Sequence, residues 1–403
     1  MSTSLLYHGF GIRGYYYVNS RYQNGQILFR IKHDDWNLKC PDCKSRDFIK
    51  RGTVTRQFKT LPIGKKEVLI ELPVQRIECL SCRKVKQVKL DFTKENCSYT
   101  KSFERYAIDL CRLLPISDIS RLLKVSWGTI KEIEKKYLKK HFDKPKLKHL
   151  KRIAIDEVYL GKKTKYLTLV MDLVTGAVVY IGDGKSADAL KPFWKKLRSS
   201  GAKIEAVAMD MGRAYIKAVN DNLPGVPIVF DHFHVIKLYN EKLTELRRDL
   251  QREAEEADKE VLKGTRWLLL KSPKKLNTHN EECEKLKNAL KLNEPLAIAY
   301  YLKDDLGQIW KQNDKEEADF LLWEWVKKAT LSGVKMLIKF SQILVKHSDE
   351  ILAYYDFNRM SSGPMEGTNN KIKTLQKRAY GYRDMEFFKL KVKALHETKY
   401  ALI

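Results

Sequence analysis

The sequence predicts a multidomain α+β protein, and three observations carry that reading. Two C-x-x-C knuckles, "CPDC" at 40–43 and "CLSC" at 79–82, bracket a stretch of alternating apolar and polar residues. Between 152 and 233 strand-like and helix-like periodicities follow one another in the order β-β-β-α-β-α-β, the pattern of a mixed sheet with helices packed on it. From 235 to 355 the strand signal is lost and long, charged helical periodicity replaces it. A chain of 403 residues with 43% apolar content is globular and long enough for two or three domains.

Residues 1–35 are read as an N-terminal segment and 36–92 as a small metal module. The two-residue gap in each knuckle lets both sulfurs face one ion. Cys40, Cys43, Cys79 and Cys82 would therefore be four thiolates around a structural Zn²⁺, leaving no open position for chemistry. The alternating segments of "EVLIELPVQRIEC" between the knuckles read as a β-hairpin, so the module is a zinc ribbon. Residues 93–148 are read as the next domain, helical over 100–141. In "ISDISRLLKVSWGTIKEIEKKYL" a short helix breaks near Val125 and Ser126 can cap the next one, which is helix-turn-helix spacing. Ser126, Trp127, Thr129 and Lys131 then open the helix that would read DNA. A basic linker, "KKHFDKPKLKHLKR", closes this region.

The chain carries 77 Lys plus Arg against 50 Asp plus Glu, a net charge of +27. An excess of that size spread along the length calls for a polyanion, and nucleic acid is the usual one. The N-terminus lacks a signal-peptide pattern. No apolar run approaches the roughly 20 residues that cross a bilayer, so neither secretion nor a membrane is expected. Cysteines in metal-ligand spacing fit a reducing compartment.

"RIAID" (152–156) and "AVAMD" (206–210) are apolar strands that each end in an aspartate. Were the strands neighbours and parallel, Asp156 and Asp210 would meet at one sheet edge. Their mutual repulsion would then favour a divalent cation such as Mg²⁺. "SSGPMEGTNNKIKTLQKRAYGYRD" (361–384) opens a helix with Pro364. On it Glu366, Asn370, Lys373 and Lys377 share a face, with Arg378 beside them. One carboxylate at the head of a basic stripe suits a cation site with a phosphate track below it.

These strings, together with "AVAMDMGRAYIKAVNDNLPGVPIVFDHFHVIKLYNE", resemble the DDE transposases of bacterial insertion sequences, of the ISL-three family, over nearly the whole chain. The resemblance implies an RNase H-like catalytic domain in two parts, 149–234 and 356–403, interrupted by a helical insertion at 235–355. It assigns the catalytic triad to Asp156, Asp210 and Glu366, holding two Mg²⁺ or Mn²⁺ ions. It further implies binding to the element's terminal inverted repeats and to target DNA, cleavage and strand transfer, and a homodimer or higher assembly on DNA. The location implied is the bacterial cytoplasm, at the nucleoid. Asp231, His232 and His234 in "DHFH" are expected to support the acids from behind, and Arg266 with Trp267 to meet an unpaired base. Two rival readings are a transposase-derived DNA-binding regulator without catalysis and an RNase H-like nuclease without strand transfer.

Overall fold

The computed structural model describes residues 3–161, 165–263, 265–271 and 282–396. It divides into two compact units, one of Met1–Asp143 with Tyr382–Lys391 and one of Lys144–Gly381 with Val392–His396.

In the first unit a helix, α1 (Thr3–Phe10), precedes the hairpin β1 (Tyr15–Gln23) and β2 (Gln26–His33). Asn24 and Gly25 make the turn, with φ of 51° and 74°, the left-handed pair that a two-residue hairpin loop requires. Strands β3 (Phe48–Lys59), β4 (Glu67–Cys79) and β5 (Val85–Gln87) complete one sheet in the order β1-β2-β4-β3, with β5 on β4. β2 and β4 pair in parallel, and one core runs from Leu6 to Phe92. The N-terminal segment and the cysteine module thus share a sheet, although local spacing at 35/36 suggests separate pieces. Three helices follow: α2 (Lys101–Cys111), α3 (Ile116–Leu123) and α4 (Trp127–Phe142). They enclose Phe103, Ala107, Ile119, Leu123, Ile130 and Ile133. Lys124 ends α3 in the left-handed conformation, and the Ser126 hydroxyl accepts the Thr129 N–H at 3.1 Å to start α4.

The second unit holds a five-stranded sheet of β6 (Arg152–Gly161), β7 (Lys165–Asp172), β8 (Val178–Asp183), β9 (Ala206–Met209) and β10 (Ile228–Phe230), in the order β10-β9-β6-β7-β8. β10, β9 and β6 are parallel, and β7 and β8 are antiparallel additions. α5 (Lys191–Ser200) and α6 (Arg213–Asn222) are the crossovers. A run of helices follows: α7 (His232–Glu253), α8 (Glu256–Leu262), α9 (Arg266–Leu270), α10 (Glu282–Leu292) and α11 (Glu294–Gln308). It continues through α12 (Lys315–Leu331), α13 (Lys335–Lys346) and α14 (Ser348–Asp356). "PIVFDHF" is not strand to its end: Asp231 caps α7 by accepting the Phe233 N–H at 2.9 Å, so the helix begins at His232. The helices do not form a core of their own. One apolar cluster runs from Ile153 and Val207 in the sheet to Trp325 and Phe340 in α12 and α13. Tyr239 of α7 joins the layers, edge-on to both those rings and donating its hydroxyl to Ala299 O at 2.6 Å. α15 (Gly363–Arg378) follows in this unit, and α16 (Met385–Lys393) belongs mostly to the first. α15 packs along β6. No helix among the described residues is long and apolar enough to cross a membrane.

Candidate active site and metal centre

The four sequence-selected cysteines form one cluster. Their sulfurs all lie within 4.8 Å of one another, with Cys40 3.6 Å from Cys82 and Cys43 3.4 Å from Cys79. Zn–S bonds of about 2.3 Å in a tetrahedron place sulfurs about 3.8 Å apart, so the set fits Zn²⁺. Each knuckle turns the same way: Lys44 and Arg83, one residue past the second cysteine of each, are left-handed. Backbone N–H groups of the second knuckle hold the Cys79 thiol down to about 6. Burial and the neighbouring thiols push Cys82 up to about 12. Four thiolates at this spacing need a cation between them.

The parallel register of β6 and β9 pairs Ala154 with Ala208. Two residues on, Asp156 and Asp210 come level at the carboxyl ends of adjacent strands. The Asp156 carboxylate accepts the Glu157 N–H at 2.7 Å and the Asn369 amide at 2.7 Å. Burial pushes its pKa above the usual carboxylate range, and the charge of Asp210 adds to this; the Glu157 N–H, His234 and Asn369 pull it back. Asp210 accepts the Gly212 N–H at 3.1 Å in the turn into α6. A Cβ at Gly212 would meet that same carboxylate oxygen at 3.0 Å, so a side chain here would press on the acid.

Glu366 lies in the first turn of α15 and is exposed. Asn369, one turn on, is the residue that reaches Asp156, and residues three apart on a helix are surface neighbours. The three carboxylates do not close to ligand spacing. Among the described residues the cysteines are the one group of three or more metal-binding side chains within 4.8 Å. Asn370, Lys373, Lys377 and Arg378 are exposed on the outer side of α15, while Met365, Asn369 and Ile372 are buried.

Asp231 stands level with Asp210, since Phe230 pairs with Met209. Its second oxygen accepts the Ser362 N–H at 3.1 Å and the Ser362 hydroxyl. One carboxylate thereby caps α7 and holds the residue that starts α15. His234 is near enough to Asp156 to lower its pKa. The His232 ring lies beside Trp310 and Tyr354, with its Nδ1 3.4 Å from the Asp231 carboxylate. Arg266 lies 4.7 Å over the ring of Trp267, which is 65% exposed. Arg266 also lines a groove of about 460 Å³ along α7 with Phe233, Lys237 and Arg248.

At the head of α4, Ser126 and Trp127 are exposed and Thr129 is half-buried. Lys131 is engaged elsewhere, 2.9 Å from the Asp384 carboxylate. Three contributors escaped the sequence reading. Asn369 sits one position before the residue chosen for the polar face. Glu157, next to Asp156, has its pKa raised by burial and by the two aspartates, while Tyr215 and Lys185 oppose the rise. Tyr215 also bonds the Thr168 hydroxyl at 2.9 Å. The adjacent "DE" in "AIDEVYL" was the available signal for Glu157.

Residues 153–392 match the family model for ISL3 described as "Transposase". Residues 88–138 match "Helix-turn-helix domain of transposase family ISL3". Residues 36–82 match "zinc-finger of transposase IS204/IS1001/IS1096/IS1165". The chain is 30% identical over 361 residues to the "Transposase for insertion sequence element IS1001" of Bordetella parapertussis, covering 89% of this chain and 88% of that one. It is 25% identical over 387 residues to the IS1557 transposase of Mycobacterium tuberculosis (strain ATCC 25618 / H37Rv), covering 89% and 86%. A solved "Drosophila P element transposase strand transfer complex" aligns with a TM-score of 0.40 at 11% identity, over 77% of this chain and 94% of that one.

Proposed function

The chain belongs to the ISL3 family of transposases, and from that premise we propose that Asp156, Asp210 and Glu366 are the acids at which it cuts and joins DNA. The observation that carries this is the level placement of Asp156 and Asp210 on parallel strands, with α15 tied to Asp156 through Asn369. The sheet of the second unit is then an RNase H-like catalytic fold, and the helices from α7 to α14 are an insertion between its second and third acids. The substrates are the element's terminal inverted repeats and target DNA. The active form is a dimer or higher assembly on DNA, working at the nucleoid in the bacterial cytoplasm.

The family implies a divalent metal at the DDE site, and the chemistry of the donors suits it, hard carboxylate oxygens with Asp156 and Asp210 half-buried, while the three stand wider than ligand spacing in this structure. Asp156, Asp210 and Glu366 would hold Mg²⁺ or Mn²⁺, which when bound supplies charge stabilisation at the phosphate and lowers the pKa of an attacking hydroxyl. The remaining work falls to the chain. Asn369 and the Glu157 N–H orient the Asp156 oxygens. The Gly212 N–H orients Asp210, and Asp231 holds the start of α15 through Ser362. Cleavage is an in-line displacement in which a water oxygen bonds to phosphorus as the bond to the DNA 3′-oxygen breaks. Strand transfer repeats it with that 3′-hydroxyl as nucleophile, and no protein–DNA bond forms. The zinc ribbon and helix-turn-helix bind DNA. Lys373, Lys377 and Arg378 extend along α15 as phosphate contacts.

The test uses DNA carrying the ends that flank the gene, incubated with Mg²⁺ or Mn²⁺ and protein, with Glu366→Gln as control. Cut and joined strands that vanish in the variant are expected. Binding without cutting by either protein would mean a repurposed, non-catalytic copy.

A further inference from the structure

The sheet face that carries Glu157 also carries two tyrosines, with a lysine folded over one of them. Tyr159 follows Glu157 by two residues on β6, so strand alternation puts both on one face. Tyr166 of β7 is the cross-strand partner of Tyr159, as Thr168 is of Glu157. The tyrosine rings are 5.1 Å apart and inclined by 51°. Lys185 Nζ lies 5.1 Å from the centre of the Tyr166 ring. A specific turn brings it there. Gly184, at φ +93°, donates its N–H to Tyr166 O at 3.0 Å and accepts the Thr168 hydroxyl at 2.8 Å.

This patch is open to solvent: Tyr159 is 48% exposed and Lys185 is exposed. Cross-strand aromatic pairs do stabilise sheets, but that role does not account for the lysine. The Thr168 hydroxyl that bonds Gly184 O also bonds Tyr215, whose ring lies beside Gly212 in the turn that holds Asp210, so the patch borders the Asp210 side of the site. Tyr159 stands three residues from Asp156, about 10 Å along the strand or roughly three base steps, and alternation turns it to the other face of β6, the face of Glu157. Carboxylates repel a DNA strand, and a cation beside them offsets that repulsion. Aromatic faces accept any unpaired base.

We propose that Tyr159, Tyr166 and Lys185 form a strand-holding subsite next to the acids. An unpaired base near the cleavage point stacks on the tyrosines, and Lys185 contacts that nucleotide's phosphate. The occupant is single-stranded DNA of any sequence, released from the duplex at the element's end. The inference rests on the assignment of the acids above.

Full-length Asp210→Asn protein is bound to end DNA carrying 5-iodouracil at successive positions around the cleavage point. It is then irradiated, and the crosslinked residues are identified by mass spectrometry. Nucleotides within about three steps of the cleavage point should crosslink to Tyr159 or Tyr166. Tyr159→Leu should weaken binding to ends with unpaired bases about ten-fold relative to fully paired ends, and Tyr159→Phe should not. Lys185→Gln should lower the salt slope of binding by about one. Crosslinks from those nucleotides to other residues, or no preference for unpaired ends, would overturn the subsite. Cleavage that survives Glu366→Gln while the Tyr159 crosslink persists would remove the acid assignment alone.

Discussion

Gly212 shows how closely the site is drawn around single atoms. Its N–H holds one oxygen of Asp210, and a methyl group in its place would sit 3.0 Å from that oxygen. The acid or the turn must then move. Gly212→Ala is therefore expected to bind end DNA as the unaltered protein does while cutting it about ten- to a hundred-fold more slowly. Binding by gel shift and single-turnover cleavage would separate the two effects. Unchanged cleavage would mean that Asp210 does not depend on this turn. Asn369 works in the same way on Asp156 but was hidden from sequence reasoning. A helical wheel separates apolar from polar residues, and an amide buried against a carboxylate belongs to the apolar side by position and to the polar side by chemistry.

Helix α4 is held from a distance. The segment after α15 returns to it, with Asp384 on Lys131 and Lys135 and Glu386 on Lys135 and Lys139. Lys391 reaches buried Glu134 at 2.5 Å. The basic stripe of α4 is thus shared with the chain's own carboxylates, which leaves its first turn, Ser126 to Thr129, to face a ligand. Burial pushes the pKa of Glu134 up, and Lys391 opposes the rise. A glutamate with a raised pKa in the fold contributes stability below its ordinary range and loses it as pH rises through the raised value. Removing the lysine raises that value further. Lys391→Met should cost about 3–5 kcal/mol at neutral pH and much less near about pH 4. Urea unfolding at both values checks this, and an equal loss at both would deny that Glu134 carries the effect.

Over the whole molecule a charge of +27 makes DNA affinity steeply salt-dependent whatever the sequence bound. On the proposed function, selectivity for the element's ends is expected to lie in the modules of the first unit. Chelating zinc, or replacing Cys79 by Ser, should release one zinc per chain and weaken binding to end DNA toward its affinity for unrelated DNA. The second unit should keep its own unfolding transition, because its apolar core is separate from that of the ribbon. Metal analysis, competition binding and calorimetry test this together. Retained zinc in the Cys79 variant would overturn the ribbon centre.

Much of the protein is legible because the relevant physics is local. Two thiolates with two residues between them face one ion, Ser126 caps the helix that follows it, and small residues beneath Asp156 and Asp210 alternate with the strand period. These follow from backbone geometry over a few residues. Family membership was legible too, in long strings around the acids. What lay beyond the sequence depends on pairs far apart along the chain. The level register of β6 with β9 and the bond from Asn369 to Asp156 are of this kind. So are Ser362 on Asp231, Lys131 on Asp384, and the single core shared by sheet and helices. Each is a choice among many partners of the same chemical type, made by which surfaces pack together. Periodicity tells which residues can meet, and only the folded chain selects which of them do.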